Sequence, residues 1–458
     1  MNLTALFTTP SLLIGLFTAI GLLAQKESFE KVCKATVNAA IGFLLLEAGS
    51  LYLQNGPLQV FDRVFHFAFH VQSVIPHNEA VIAESLNQTV VNTSLILILG
   101  MICNLILARF TCFKFIFLSG HHAFYMACLI GVALETAGLD LIQVIIAGSL
   151  LTGLSMSFFP AIAQRPVKRI TKADKIALGH FSTVSYVLSW KIGAAIKKHA
   201  KDPLRIQSTE KIRFPKKLSF LRDTNVLITL FMTGLFFVAS LVALRMPDHQ
   251  QIGVTNENWF IFSLLNGLKF TCGIVMILTG VRMTVGEIVP AFKGIAKKLV
   301  PDSKPAIDCP ILFTYAPNAV MIGFLCSFFG AFLFMLVSLW IRNELRVDLP
   351  VILPGVVAHF FCGATAGIFG NVEGGWKGCV LGSFIAGFLL SALSLGAYLA
   401  LNSLQIATTV SDADFAIVVI LSVLAGRIFS PVVLFGAIVG LFLVPFAISG
   451  IQERKKTS

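Results

Sequence analysis

The chain has 458 residues, of which 56% are hydrophobic and only 13% charged, and its formal net charge is +12. So few charged residues cannot cover the surface of a water-soluble globule, so the composition excludes that class and predicts a polytopic membrane protein. The positive charge is local, because residues 162–222 hold 15 Lys or Arg against three acids, and 15 minus 3 equals the whole excess. A charge confined in this way does not indicate a nucleic-acid-binding protein.

Apolar runs predict an all-α protein with about 11 transmembrane helices. The opening run "MNLTALFTTPSLLIGLFTAIGLLAQ" lacks a positive n-region and a small-residue cleavage site, so we expect a membrane helix that is retained and not a signal peptide. The predicted helices lie near residues 10–25, 33–54, 92–109, 112–135, 141–163, 225–244, 258–282, 317–341, 350–372, 376–400 and 430–450.

The basic stretch also predicts an orientation, because short loops rich in Lys and Arg stay in the cytoplasm. Counting crossings away from it puts the N-terminus, the 55–90 loop and the "SDAD" segment (411–414) outside, and the C-terminal "RKKTS" inside. Two apolar segments, 177–196 and 415–428, cannot cross under this scheme. They are predicted to be re-entrant or interfacial, and irregular backbone at membrane depth is typical of a substrate path.

An internal repeat supports the same function class. "IGFLLLEAG" and "CGIVMILTG" match at an offset of 231, "FLSGHHAF" and "ILPGVVAH" at 235, "AGSLLTG" and "LGSFIAG" at 234, and "YVLSW" and "VILSV" at 233. The two copies have opposite predicted topology, which is typical of transporters. We therefore predict one permease domain with a first repeat at about 10–196, a basic linker at 197–224, a second repeat at 225–430 and a C-terminal helix at 430–450.

Ionisable residues at membrane depth are candidate ligands for a transported solute. Glu47 either binds a ligand or is protonated and bonded to a backbone carbonyl. His121 and His180 each follow a glycine where a helix can break, and each either faces a hydroxyl-rich ligand or makes a core hydrogen bond. Asp308 lies where the chain re-enters the membrane, and its carboxylate can accept two hydroxyls. His121 is preferred to His122, which is expected to face elsewhere.

The basic stretch and the cysteines each also have a purely structural explanation. The basic stretch either only fixes topology or also forms a docking face for an acidic cytoplasmic partner. The nine cysteines fall mostly in apolar runs, with no C-x-x-C and no zinc-ligand spacing, so we expect small core residues and neither disulfides nor a metal or other cofactor.

Several motifs resemble a known family: "IGFLLLEAGS", "SGHHAF", "LGHFS", "PAIDCPILFTYAPNAV" and "FCGATAGIFGNVEGGWKG". They look like the membrane (IIC) component of the ascorbate-type branch of the bacterial sugar phosphotransferase system, over about residues 10–450. The resemblance implies a homodimeric permease in the lipid of the bacterial inner membrane. Such permeases take ascorbate or another small sugar or polyol from outside, and a cytoplasmic IIB protein, itself charged by IIA, phosphorylates it.

The resemblance also implies a binding site, which carried over position by position comprises Glu47, Gly49, Ser50, Ser85, His121, Tyr125, His180, Phe181 and Asp308. The ascorbate branch has glutamine at the positions of Glu47, Tyr125 and Phe181. An amide offers a donor and an acceptor together, which phenyl and phenol groups do not. A pentose, pentitol or other small polyol therefore stays an alternative to ascorbate.

Two other function classes fit parts of the pattern. An ion-coupled secondary transporter would share the inverted repeat, and its uptake would depend on a proton or sodium gradient. A membrane metalloenzyme would use the histidines at positions 121, 122, 180 and 359. No Ser-His-Asp order and no Walker-type loop is present, so any phosphoryl chemistry is expected to come from partner proteins.

Overall fold

A computed structural model gives the architecture of most of the chain. It describes residues 9–60, 63–64, 67, 74–75, 90–202, 206–211, 223–245, 255, 258–298, 300–347, 349–352, 354–355, 358–401 and 409–457. The described part is predominantly helical, as the composition predicts.

The first half of the chain alternates long helices with short strands. In order, its elements are α1 (Pro10–Ala24), α2 (Phe29–Leu53) with a π-turn at Gln54–Leu58, β1 (Val74–Ile75), α3 (Val90–Phe110), β2 (Phe115–Phe117), α4 (Gly120–Thr136), α5 (Leu141–Thr171), β3 (Ala177–Leu178) and α6 (Thr183–Lys198).

The second half follows a 3₁₀ turn at Thr209–Lys211. Its elements are α7 (Thr224–Ala243), α8 (Trp259–Lys298), β4 (Lys304–Ile307), a 3₁₀ helix (Cys309–Tyr315), α9 (Pro317–Leu345), β5 (Val351–Ile352), a π-turn (His359–Gly363), α10 (Ala364–Ala400), α11 (Ala413–Ile428) and α12 (Pro431–Thr457).

Local sequence explains several of these boundaries. Asp140 accepts a hydrogen bond from the Gln143 N–H while the Gln143 side chain accepts one from the Asp140 N–H, a capping box that starts α5. Asp223 accepts from two N–H groups at the start of α7. Pro10 and Pro317 begin α1 and α9, where a missing N–H costs nothing.

The strands form two small parallel sheets that join distant parts of the chain. Val74 and Ile75 of β1 pair with Val351 and Ile352 of β5. The other sheet has the order β2-β4-β3, with Ala306 of β4 opposite both Phe117 and Ala177. Because all three of its strands are parallel, their carboxyl ends lie at one edge of the sheet.

Helix α10 contains a reversal at Gly375, whose φ of +58° and ψ of −151° are not helical. A Cβ on Gly370 would overlap the carbonyl oxygen of Gly378, and a Cβ on Gly378 that of Gly370. Residues eight apart in a straight helix are separated by about 12 Å, so the chain turns back here as a helical hairpin. The separate helices predicted at 350–372 and 376–400 correspond to its two arms.

Two short helices, α6 and α11, each contact helices of both halves of the chain. Helix α6 of the first half packs mainly against α10 of the second, and α11 of the second half packs against both α10 of its own half and α4 of the first. One core cluster of buried side chains accordingly extends over α7–α10 and includes Tyr186 of α6, and another joins α3–α5 to Phe415 of α11. The halves are therefore interlocked.

The described residues contain six helical stretches long and apolar enough to cross a membrane: Phe29–Pro57, Leu141–Thr171, Trp259–Met276, Pro317–Arg342, His359–Ala400 and Pro431–Ile451. Shorter apolar helices cover Ile14–Ala24, Leu95–Phe110, His122–Thr136 and Ile228–Ala243. These findings support a multi-pass membrane protein. Two predicted helices differ. The run expected at 112–135 begins with strand β2 and becomes helical only at Gly120, and the run expected at 350–372 begins with strand β5.

Candidate ligand-binding site

Four titratable side chains meet in the interior: His122, His180, Asp308 and Asp412. The two Nε2 atoms face Asp308 Oδ1, at 3.6 Å from His122 and 3.8 Å from His180. The two Nδ1 atoms face Asp412 Oδ2, at 3.6 Å and 3.5 Å respectively. His122, His180 and Asp412 are at most 7% exposed. Two imidazoles thus lie between two carboxylates away from bulk water.

The three-stranded sheet explains how distant residues reach this place. His122 lies just beyond β2, His180 just beyond β3 and Asp308 directly after β4. Since the strands are parallel, the segments leaving their carboxyl ends emerge side by side. The sheet therefore brings together residues that are almost 190 positions apart in the sequence.

Glycine is required next to His180. The Gly179 N–H donates to the carbonyl oxygen of Ile307 (2.8 Å). A Cβ on Gly179 would overlap the backbone carbonyl of Ala306. The absence of a side chain lets the two backbones approach closely and holds His180 beside Asp308.

Neighbouring groups hold the four side chains in place. Asp308 Oδ1 accepts a hydrogen bond from the Cys309 N–H (2.6 Å) and so caps the 3₁₀ helix. The Cys362 thiol donates to Asp412 Oδ1 (3.0 Å). The Tyr186 hydroxyl lies 2.9 Å from His180 Nδ1. These contacts restrict rotation of the carboxylates and of one imidazole.

Aromatic rings form one wall of the site. Phe181 is fully buried and stacks on Phe117 with ring centroids 4.7 Å apart. Phe415 stacks on the His122 ring at 5.8 Å and contacts Phe181 at 5.4 Å. The His122 and His180 rings are themselves 4.1 Å apart. Polar groups and an apolar aromatic surface therefore face the same region, as in many small-molecule sites.

The N-termini of the two short helices meet beside this cluster. Asp414 of α11 accepts hydrogen bonds from the N–H groups of Thr183 (2.7 Å) and Val184 (3.0 Å) at the start of α6. In the opposite direction, the Ala413 N–H donates to the Ser182 hydroxyl (3.2 Å). Each helix has 16 residues and is about 24 Å long, which is too short to cross a bilayer core of about 30 Å.

The structure brings some of the predicted site residues together and not others. His180 and Asp308 belong to the cluster, and Phe181 lies against His122. Tyr125 is half-buried one turn along α4. Glu47 and Gly49 lie on α2, which packs against α1 and α8. The remaining predictions fall outside the described residues: all of Ser85 and the side chains of Ser50 and His121.

Sequence reasoning missed His122, Asp412 and Cys362. His122 was expected to face elsewhere, but its ring contacts His180. Asp412 was assigned to an outer loop, yet it is 5% exposed and packed inside the protein. Its place at the start of the expected re-entrant segment is the signal that could have found it, because Asp412 lies one residue before α11 just as Ser182 lies one residue before α6.

The arrangement suits a ligand rich in hydroxyl groups. Carboxylates accept hydrogen bonds from hydroxyls, and a neutral imidazole offers one donor and one acceptor. Because the groups are buried, a ligand that failed to pair with them would lose affinity. The set His122, His180 and Asp308 also has the composition and spacing of a cation site.

Comparison with known proteins agrees with this picture. The family EIIC-GAT, described as "PTS system sugar-specific permease component", matches residues 5–419. The chain is also similar to the "Ascorbate-specific PTS system EIIC component" of Mycoplasma pneumoniae (strain ATCC 29342 / M129 / Subtype 1), with 27% identity over 435 residues. That similarity covers 83% of this chain and 63% of the relative, so the chain spans less than two thirds of the relative's length.

Proposed function

The chain belongs to the EIIC-GAT family of sugar-specific permease components of the phosphotransferase system, and from this membership we propose its specific role. It carries ascorbate or a related small sugar or polyol across the bacterial inner membrane and presents it to a separate cytoplasmic IIB protein. IIB, charged by IIA, transfers the phosphoryl group, so the chain itself supplies binding and passage and no phosphoryl chemistry.

The buried His/Asp cluster is the observation that carries this proposal. Its members come from both halves of the chain, His122 and His180 from the first and Asp308 and Asp412 from the second. A site shared by two halves can change its access when one half moves relative to the other. The sugar-permease family and a buried hydroxyl-binding site at the junction thus point to the same function.

Strand pairing supports the proposed two-repeat architecture. At an offset of about 231–235 residues, β1 corresponds to β4 and β2 corresponds to β5. The pair β1·β5 is therefore the repeat-related copy of the pair β4·β2, and both pairs are parallel. Helices α6 and α11 have equal length at an offset of 230. This symmetry favours repeats at about 10–196 and 225–430 around the linker at 197–224.

The proposed topology has about 11 crossings, with the N-terminus outside and the C-terminus in the cytoplasm. Helices α6 and α11 are its re-entrant elements, since they are short and meet N-terminus to N-terminus. Crossing helices with apolar faces exposed to lipid, such as α12, also leave room for the homodimer that the family resemblance implies. The expected site residues Glu47, Gly49, Ser50, Ser85 and His121 remain part of this proposal.

The His/Asp cluster and the aromatic rings beside it suggest the substrate class. Vicinal hydroxyls would pair with Asp308 and the imidazoles, while the C–H face of the sugar would pack on Phe181 and Phe415. The relative from Mycoplasma pneumoniae is described as ascorbate-specific. Ascorbate is therefore the first candidate, and neutral pentoses and pentitols are the second.

The proposed IIB surface is the basic cytoplasmic face. At the end of α5, Arg169 pairs with Glu373 of the α10 hairpin, and Lys197 at the end of α6 donates to the same carboxylate (3.1 Å). Burial alone would raise the pKa of nearby Asp174, but hydrogen bonds from Lys304 and Gln164 and the charges of Lys304 and Lys168 lower it below its ordinary value. Asp174 therefore stays ionised and pairs with Lys168 and Lys304. The exposed cations around it outnumber the acids and make this face basic.

Uptake assays in cells with the chain and its phosphorelay test the proposed function. Radiolabelled ascorbate and pentitols are supplied in two conditions: with the general phosphotransferase enzymes removed, and with the proton and sodium gradients collapsed by ionophores. We expect uptake to stop in the first condition and continue in the second. Uptake that survives loss of the relay but collapses with a gradient would show an ion-coupled transporter instead.

A further inference from the structure

The His/Asp cluster, which is also the proposed sugar site, has the side chains and spacing to hold a metal ion. Three side chains, His122, His180 and Asp308, each offer one ligand atom, and these three atoms lie within 4.8 Å of one another. From their geometry we infer that they form a divalent transition-metal site of the zinc type, with Asp412 as the carboxylate that orients both histidines.

The spacing of the three atoms fits such an ion. Zinc binds histidine nitrogen and carboxylate oxygen at about 2.0–2.1 Å in a tetrahedral arrangement, which separates neighbouring ligand atoms by about 3.3 Å. The two imidazoles lie 3.6 Å and 3.8 Å from Asp308 Oδ1. Both distances are within about half an ångström of the tetrahedral spacing, and the ligand atoms of the two histidines, which lie within 4.8 Å of each other, reach it by rotation of the imidazoles.

The surroundings of the imidazoles are those of a metal centre. Histidines that bind metal usually donate their other ring N–H to a carboxylate or another acceptor, which fixes the tautomer and the ring orientation. Here Asp412 Oδ2 faces both Nδ1 atoms, at 3.6 Å and 3.5 Å. The Tyr186 hydroxyl also lies beside His180 Nδ1. A carboxylate on this side favours protons on Nδ1 and leaves both Nε2 lone pairs facing Asp308.

The types of side chain and their burial also favour a divalent metal ion. Two carboxyl groups face two imidazoles here, a mixture of oxygen and nitrogen ligands that divalent transition metals bind. Buried charges in proteins are paired or coordinate metals. His122 and His180 are 7% and 3% exposed, so an ion held here would be shielded from water.

Three protein ligands leave a fourth position on a tetrahedral ion. If the proposed function holds, the sugar would pair with Asp308 and the imidazoles through the ion, one hydroxyl occupying that fourth position, and vicinal diols or enediols would be preferred ligands. The ion itself binds whether or not the chain transports a sugar. Sequence spacing could not show the site, because its ligands come from α4, the segment after β3 and the segment after β4.

Metal titration of the purified full-length chain in detergent tests this inference. The chain is stripped with a chelator and titrated with Zn²⁺ by calorimetry and with Co²⁺ by visible spectroscopy. We expect one ion per chain and the intense absorption of tetrahedral cobalt. His180→Gln and Asp308→Asn should each weaken binding by at least about 100-fold, and Asp412→Asn by about 10–100-fold. His199→Gln, at an exposed histidine outside the cluster, should bind as the wild type does.

Several outcomes would overturn the assignment. One is wild-type protein that shows no saturable binding of either ion, and another is Asp412→Asn, with the elution profile of the wild type, binding both ions with unchanged affinity. A cobalt–thiolate charge-transfer band would also overturn it, because the metal would then be bound by Cys362. Loss of phosphorelay-coupled uptake by a chain that still binds cobalt would refute the proposed function and leave the metal site standing.

Discussion

The carboxylate of Asp414 accepts a hydrogen bond from the backbone N–H of Thr183 (2.7 Å), a residue 231 positions earlier. A side chain at the start of α11 thus caps the start of α6, and the same carboxylate accepts the Val184 N–H. The two short helices are thereby joined at their N-termini next to His180. This junction predicts a link between the stability of the fold and the affinity of the site.

Replacing Asp414 with alanine should affect both properties. The N–H groups of Thr183 and Val184 would lose their acceptor in a buried place, which costs about 1–3 kcal/mol, and His180 would lose its fixed position. We expect a lower melting temperature in detergent and weaker sugar binding. Asp223→Ala removes an equivalent cap from the exposed start of α7. It should lower stability by about 1 kcal/mol and leave affinity unchanged, and an equal loss of affinity in both variants would contradict the link.

The two cluster histidines should each contribute to sugar binding. His180→Ala and His122→Ala are expected to weaken it by about 1–3 kcal/mol, the usual effect of leaving buried polar groups without a partner. Equilibrium binding of labelled ascorbate and pentitols to purified variants measures this. His121→Ala decides between the adjacent histidines. If it weakens binding more than His122→Ala does, then His121 is the sugar ligand and the cluster has a different role.

Close glycine contact at the α10 hairpin should make it intolerant of even one methyl group. Gly370→Ala forces a Cβ into the Gly378 carbonyl, and we expect a destabilisation of about 1–3 kcal/mol. Gly436→Ala is the control, because open space surrounds that position on α12 and alanine is the better helix former. Thermal unfolding in detergent compares the two. Equal melting temperatures would mean that the arms of the hairpin are not in contact.

The basic stretch should act as a docking surface for IIB. A fourfold variant with glutamine at Lys211, Arg213, Lys216 and Lys217 is expected to keep sugar binding and lose phosphorylation-coupled uptake. Exposed charges mainly govern the rate of encounter and its dependence on salt. Of these four residues, Lys211 lies within the described part of the chain and is exposed.

Formation of phosphorylated sugar in inverted vesicles measures this, across a titration of IIB at two salt concentrations. The defect should grow as the IIB concentration falls. The control places glutamine at the same number of predicted cytoplasmic cations outside the stretch, Lys26, Lys34, Arg109 and Lys114. Titration curves of the basic-stretch variant that match wild type at both salts would leave the stretch with a topological role alone.

Most of the helices and the family could be predicted from the sequence. The run predicted at 225–244 forms helix Thr224–Ala243, because a long apolar stretch without breakers has few alternatives. Strand β2 was missed inside the run at 112–135, since Phe115–Phe117 is a strand only because β4, far away in the chain, pairs with it. Non-local pairing of this kind leaves no local pattern.

The site was only partly predictable for a related reason. His180 and Asp308 stand out as ionisable residues in apolar sequence, and the structure places them together. Asp412 stands in "SDAD", a polar segment typical of a loop, and only the packing of α11 buries it. The choice between His121 and His122 depends on the rotation of α4, which periodicity does not fix in a helix buried on most sides.

Sugar binding by the Asp308→Asn variant tests the central claim most directly. The change replaces two acceptor oxygens with a mixed amide at nearly constant volume, so the protein should fold and insert normally. Equilibrium binding of labelled ascorbate and pentitols is compared among the wild type, Asp308→Asn and Asp174→Asn, a control at an exposed aspartate paired with Lys304. We predict that Asp308→Asn loses measurable binding while Asp174→Asn retains it. Unchanged affinity in a correctly folded Asp308→Asn protein would show that the buried cluster is structural and that the sugar binds elsewhere.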